Sequence, residues 1–304
     1  MGSRGKNSAE SEEHTLNPDS DAILVNRARR AVIKSDRLGA CIITGTDKIR
    51  SGYGNGDCLM LDFRNQVFAV SDATERFPFA SRLLLERFAD SLFDAAVPRT
   101  KAEWLAHVNA VYAGQSYHQK ATLSCVAINR DSGVLKTYII HGGDSVVLLL
   151  NLKTRQVEYR TSADMYFAGR AKELLCVDEV PIADGDYAFV IASDGITDPA
   201  RFTGHPLERI TGSVLSRFPL HELPDGLVNY LKELSRPEEY DDIGVIAFSP
   251  TRLELEDCPT LLIGGTSAAE ETAFQKKLGE SAIDDSWILI DTIQSSDGKK
   301  TIRI

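Results

Sequence analysis

No apolar stretch in this chain approaches the roughly 20 residues that cross a bilayer, so no transmembrane helix is expected. Cysteine is sparse and scattered. The five residues Cys41, Cys58, Cys125, Cys176 and Cys258 are odd in number and form no CxxC pair. That pattern argues against a disulfide framework and against a thiolate metal centre, and it favours a reduced, cytoplasmic compartment. Cys58 reads as a strand cysteine facing the core. An excess of basic residues is also missing. With 34 Lys and Arg against 44 Asp and Glu, the formal net charge is −10. Neither nucleic acid nor an anionic membrane is an expected general partner of so acidic a surface. The opening MGSRGKNSAESEEHTLNPDSD has no apolar core of the secretory type.

What is present is an ordinary globular composition, 43% hydrophobic and 26% charged, in 304 residues. Residues 1–20 carry almost nothing to bury and read as disordered. Residues 21–250 read as one large domain, and the texture changes after Pro250 into a tail, 251–304. Short strands are expected over 57–63 and 66–71, around Arg64-Asn65. Helices are expected near 79–95, where Leu83, Leu84, Phe88, Leu92 and Phe93 make a wide apolar face, and near 101–113, where Trp104, Val108, Val111 and Tyr112 fall at helical spacing. An antiparallel meander follows through 122–129, 134–141 and 146–151 and on into RQVEYR. DYAFVIAS (186–193) and IGVIAF (243–248) are nearly all apolar and read as buried central strands. Helices near 206–217 and 223–235 lie between them. Helices arriving in pairs between antiparallel runs define an α+β layered domain, not a doubly wound parallel sheet. The tail, with TLLIGG, a helix near 267–279, SWILIDTI and KKTIRI, reads as a small C-terminal β-α-β-β extension.

The most informative feature is a series of short acidic turns at the ends of these apolar stretches: GNGD at 54–57, FAVSDA at 68–73, HGGDS at 141–145, FVIASDG at 189–195 and YDDIGVIAF at 240–248. Each places a carboxylate where a strand starts or stops. If Asp57, Asp72, Asp144, Asp194 and Asp241 gather in space, they repel one another unless cations lie between them. Taken singly, Asp57 or Asp144 is the usual composition of a turn. Asp72, Asp194 and Asp241 together favour a metal site. Carboxylate and carbonyl oxygen suit hard cations, and without His or Cys ligand spacing zinc and iron are disfavoured. Asp242 is expected to orient its neighbour, and Asp198 to cap a helix starting at Pro199. His141 reads as a hydrogen-bonded structural histidine ahead of a proton donor, and His118 is a weaker candidate still.

These motifs resemble, in order and spacing from about residue 40 to 249, the metal-dependent Ser/Thr protein phosphatases of type 2C, as a divergent, bacterial-like member. Asn55-Gly56-Asp57 is similar to the first acidic motif, and Ser71-Asp72-Ala73 stands where the family has Asp-Gly. Ala121-Thr122 resembles its small-Thr strand start. Gly143-Asp144-Ser145, Ser193-Asp194-Gly195 and Asp241-Asp242 resemble its Gly-Asp-Ser, Ser-Asp-Gly and Asp-Asn motifs. The resemblance implies a layered β-sandwich of two antiparallel sheets flanked by helical pairs, with Mg²⁺ or Mn²⁺ at one end. It implies that Asp72 bridges two ions, that Asp194 and Asp241 complete the shell of the first, and that the Ala73 carbonyl reaches the second. Asp57 is to hold metal-bound water, and Asp144 with Asp194 a weaker third ion. The implied reaction is hydrolysis of phosphoserine or phosphothreonine in a phosphoprotein substrate by a metal-bridged hydroxide, with Asp57, Asp72, Asp194 and Asp241 carrying catalysis.

Departures from the family cluster at substrate positions. Ala73-Thr74-Glu75-Arg76 replaces a glycine-rich stretch, and Thr74 stands where some members have a histidine. Gly56 replaces an acidic or amide residue. The phosphate-binding arginine is Gly52, and the arginine after Gly-Asp-Ser is Val146. Arg76 and Arg50 are the remaining candidates to clamp phosphate. The alternative reading is a non-catalytic, metal-binding pseudophosphatase in a signalling pathway, with residues 251–304 recruiting a partner or a second copy.

Overall fold

The structure is a computed structural model. It describes residues 14–15, 22–25, 30–35, 37–46, 48, 54–74, 77–131, 134–182, 186–202, 204–234, 240–250, 260–266, 288–290, 294–296 and 299–302. Arg50, Arg76, Gly52, Glu75, Cys258, the expected helix at 267–279 and all of the expected disordered segment 1–20 except His14–Thr15, which form a strand, lie outside these residues.

The strands, in chain order, are β1 (His14–Thr15), β2 (Ala22–Val25), β3 (Arg30–Ser35), β4 (Leu38–Ile43), β5 (Asp57–Asp62), β6 (Val67–Asp72), β7 (Leu123–Asp131), β8 (Val134–Gly142), β9 (Val146–Asn151), β10 (Gln156–Arg160), β11 (Val177–Pro181), β12 (Tyr187–Ala192), β13 (Ile243–Phe248), β14 (Thr260–Gly264), β15 (Ile288–Ile290), β16 (Gln294–Ser296) and β17 (Lys299–Ile302). Among the described residues two seven-stranded sheets form, β10-β9-β12-β13-β4-β3-β15 and β11-β8-β7-β6-β5-β14-β2, together with a small β1-β17-β16 sheet. Pairing in the large sheets is antiparallel except for β2 with β14 and β3 with β15. Strand β14 pairs along its length with β5, so part of the tail is a strand of the second sheet.

The described helices are α1 (Phe79–Asp94), α2 (Lys101–Ala113), α3 (Asp194–Phe202), α4 (Leu207–Leu215) and α5 (Leu223–Leu234), with a 3₁₀ turn at Leu220–Glu222. Their places follow from strand alternation. In β5 and β6, Leu59, Leu61, Phe68 and Val70 face the space between the sheets, whereas Cys58, Met60, Val67 and Ala69 face α1 and α2. In β9 and β12, Val147, Leu149, Phe189 and Ile191 face inward, and Leu148, Leu150, Ala188 and Val190 pack against α3 to α5. Every strand of this kind is apolar on both sides because each sheet is covered twice, giving a helix–sheet–sheet–helix stack. The layered α+β architecture is as the motifs implied, and Cys58 is buried in the core.

Two elements differ from the sequence reading. Helix α3 starts at Asp194, so Asp198 and Pro199 lie inside it and Asp198 caps nothing. The proline removes one backbone donor from this short helix, which packing of Ile196 and Ala200 onto the sheet offsets. Strand β11 has the burial pattern of an edge, exposed at three of five positions, and no apolar alternation marks it.

Candidate metal centre

The strand ends carrying the acidic turns meet at one end of the sandwich. Asp57 opens β5 and Asp72 closes β6, and the two are directly opposite across the antiparallel pair. Like charges in that relation are destabilising. Asp144 lies in the turn between β8 and β9. Asp194 follows β12, and Asp241-Asp242 precede β13, whose Val245 pairs with Ala192. The carboxylate oxygens of Asp72, Asp144 and Asp194 come within 4.8 Å of one another, Asp72 and Asp194 half-buried and Asp144 exposed. Asp57 and Asp241 border this group without joining it.

Each carboxylate is set by a local device. The side chain of Asn55 accepts from the Asp57 N–H at 2.8 Å and shapes the turn. Ser193 donates to Asp57 Oδ2 at 2.5 Å, while its hydroxyl accepts from Gly244 N–H at 2.9 Å, joining the two sheets. Asp57 Oδ1 is buried with no hydrogen-bond partner. Thr122 Oγ1 accepts from Asp72 N–H at 3.0 Å and shares a hydrogen bond with Ser145 at 2.8 Å, so the small-Thr and Gly-Asp-Ser motifs support the same strand end. Ala73 is held by its N–H to the Gly56 carbonyl, 3.0 Å, and by a bridge to Ala121.

Asp242 spends both carboxylate oxygens on backbone, accepting from Gly45 N–H at 2.6 Å and Gly56 N–H at 2.7 Å. Its own N–H donates to Asp241 Oδ1 at 2.8 Å, which orients the neighbour as expected. Asp241 also lies 3.8 Å from the Lys48 ammonium. Gly195 is required by close approach, and Gly56 sits in a tight place. A Cβ on Gly195 falls 2.0 Å from the Asp242 carbonyl oxygen, and one on Gly56 falls 3.2 Å from the Ala73 carbonyl oxygen and 3.3 Å from Asp242 Oδ2. Glycine in place of a larger residue at 56 thus leaves the Ala73 carbonyl and the Asp242 clamp undisturbed.

The electrostatics are those of a site built for positive charge. Burial, then repulsion from Asp57 and Asp194, holds Asp72 well above the usual carboxylate range. Burial and the Asp242 charge do the same to Asp57. Burial and repulsion from Asp144 push Asp194 up to about 7, and burial raises Asp242 to about 7 against its two backbone donors. Carboxylates so destabilised in their ionised form either hold protons or hold cations. The all-oxygen donor set, the orphaned Asp57 oxygen and the opposed Asp57–Asp72 pair fit hard divalent ions.

His141 has both ring nitrogens occupied, Nδ1 with Ser124 at 2.9 Å and Nε2 with the Ser162 carbonyl at 3.0 Å. A carbonyl only accepts, so Nε2 carries the proton and the ring is a strut. His118 packs against the rings of Phe77 and Tyr117. Thr74 is exposed. The sequence reading missed Ser193 as the clasp on Asp57, Lys48, and Gly265, whose N–H donates to the Asp57 carbonyl at 2.6 Å. Only Ser193 had a local signal, its place in the Ser-Asp-Gly motif.

No protein-family model matches the sequence, and no curated protein matches it. Solved structures do match. The catalytic domain of the serine/threonine protein phosphatase PstP, in complex with two manganese ions, superposes with a TM-score of 0.53 at 15% identity, over 70% of this chain and 97% of that one. A bacterial serine phosphatase superposes at 0.55 and 16% identity, over 71% and 99%. The PP2C phosphatase domain of SpoIIE from Bacillus subtilis, solved with a fragment of its regulatory domain, superposes at 0.52 and 15%, over 74% and 64%. The fold is that of the type 2C phosphatases. Among the described residues no helix is long and apolar enough to cross a membrane.

Proposed function

We propose that this chain is a Mg²⁺- or Mn²⁺-dependent phosphatase that hydrolyses phosphoserine or phosphothreonine in proteins. The observation that carries the reading is the meeting of the Asp72, Asp144 and Asp194 carboxylates within 4.8 Å at the end of this sandwich. Asp72, Asp194 and Asp241, with the Ala73 carbonyl, would hold two ions, and Asp144 with Asp194 a weaker third. When bound, the ions would activate a water nucleophile and neutralise phosphoryl charge. The protein's own residues orient the ligands. Thr122 aims Asp72 through its backbone, Ser193 fixes one face of Asp57, and Asp242 ties the 45 and 56 turns to the edge of β13. Direct hydrolysis needs no nucleophilic side chain, and the buried Cys58 and Cys125, whose thiols burial pushes up, do not supply one. The reading also takes the protein to be cytoplasmic, with residues 251–304 available to a partner or a second copy.

The test is p-nitrophenyl phosphate and phosphopeptide hydrolysis with Mn²⁺, with Mg²⁺ and with EDTA, alongside Asp72→Asn and Asp194→Asn. Metal-dependent turnover lost in both variants is expected. Near wild-type rates in folded variants would sink the assignment. A second reading, a metal-binding module without turnover, is favoured by one observation, the engagement of Asp241 with Lys48 outside the carboxylate group. It predicts Mn²⁺ stabilisation with no hydrolysis of any ester.

A further inference from the structure

Lys48 brings a fixed cation to the acidic edge. Gly45 and Thr46, just before it, are tied to the approach to β13. Gly45 N–H donates to Asp242 Oδ1, Thr46 N–H to the Tyr240 carbonyl at 3.0 Å, and Tyr240 N–H returns to Thr46 Oγ1 at 3.2 Å. At the end of this ladder the Lys48 ammonium lies 3.8 Å from Asp241 Oδ1. Its side chain is only 10% exposed, whereas that of Asp241 is 60% exposed. A lysine is almost never buried to this degree unless it is paired, because its ammonium is strongly hydrated in water. One carboxylate that pairs it, that of Asp241, is placed on the first ion by the metal reading. An ammonium and a divalent cation compete for one carboxylate, and a cation held in the wall of the site repels another entering it.

We propose that Lys48 is a positioning residue of the metal centre, an intramolecular counter-ion that holds Asp241 in the metal-free protein and weakens divalent-ion binding. The inference rests on the metal reading of the site. Its consequence is that the centre fills at a higher metal concentration than its carboxylates alone would set, and that metal binding and the Lys48–Asp241 contact oppose each other reciprocally. Lysine at this position thus sets the metal range in which the protein is loaded.

Calorimetric titration of Mn²⁺ into the full chain tests this with Lys48→Met, which keeps the length and removes the charge, and Lys48→Arg, which keeps the charge. Lys48→Met is expected to bind Mn²⁺ about fivefold more tightly, the scale of one solvent-screened charge pair, with Lys48→Arg close to wild type. Lys48→Gln provides the same comparison if the methionine variant does not fold. Unchanged or weaker affinity in the neutral variants overturns the inference, as does equal tightening by arginine, which would point to packing. Wild-type protein that binds no Mn²⁺ overturns the metal reading together with it.

Discussion

Ser193 and Asp57, 136 residues apart and on different sheets, are joined by a 2.5 Å hydrogen bond at the edge of the site. The serine hydroxyl also accepts from Gly244, so one small side chain closes the two sheets over the acidic end. Ser193→Ala leaves Gly244 N–H and Asp57 Oδ2 unpartnered in a buried place. A loss of about 2 kcal/mol in unfolding free energy is expected, from two broken contacts of which one involves a carboxyl group. Urea denaturation of the metal-free protein reads it directly, and an unchanged midpoint would contradict the clasp.

The raised carboxylates give the metal-free protein an unusual pH dependence. Asp194 and Asp242 reach about 7 when folded, against 3.8 for an ordinary aspartate, and Asp57 and Asp72 are raised as well. Between those values the folded state binds more protons than the unfolded chain, so stability falls as pH rises. The contribution is fully present below about 4 and is lost as pH passes through about 7. In EDTA, the unfolding free energy from urea denaturation at pH 5.5 should exceed that at pH 7.5, by an amount on the order of 2 kcal/mol for each fully shifted group. Saturating Mn²⁺ should reverse the order, because metal and protons compete for the same oxygens. The same slope with and without Mn²⁺ would place the titrating groups elsewhere.

Gly195 bears a steric demand that no side chain meets. A Cβ there lies 2.0 Å from the Asp242 carbonyl oxygen and 2.9 Å from Ile243 Cγ1. Gly195→Ala must push the start of α3 away from β13, moving Asp194 and Asp241 apart. A cost of about 3 kcal/mol is expected, with loss of the Mn²⁺-induced rise in melting temperature. Retention of that rise would show that the two turns do not act together.

His141 should be dispensable for chemistry. Its ring nitrogens are committed to Ser124 and Ser162, and burial pulls its pKa below the usual histidine value. His141→Gln is expected to lower stability by about 1 kcal/mol and to leave the shape of the pH–rate profile of p-nitrophenyl phosphate hydrolysis intact. Disappearance of one limb of that profile would restore the histidine as a proton donor.

The layers were legible in the sequence because burial on both faces leaves strands such as IGVIAF and YAFVIA almost wholly apolar, and these match β13 and β12. The helices α1 and α2 were legible for a related reason, their apolar stripes at helical spacing, and α4 and α5 fall where helices were expected near 206–217 and 223–235. The acidic turns were legible because each ends a strand, and strand ends of one sandwich meet. What linear reading could not supply is the division of labour among the carboxylates. Asp57 is the most enclosed, because the Ser193 clasp and the backbone of Gly265 close over it. Asp242, which has the same side chain as Asp241, became a backbone clamp because two glycine N–H groups from distant turns reach it. Lys48 has no motif, and its meaning here comes from the 3.8 Å that separate it from Asp241. Alternation and hydrophobicity are properties of neighbours in the chain, and they determined the elements. Desolvation and charge repulsion are properties of neighbours in space, and only the tertiary structure decided which aspartates face one another and which are already answered by protein.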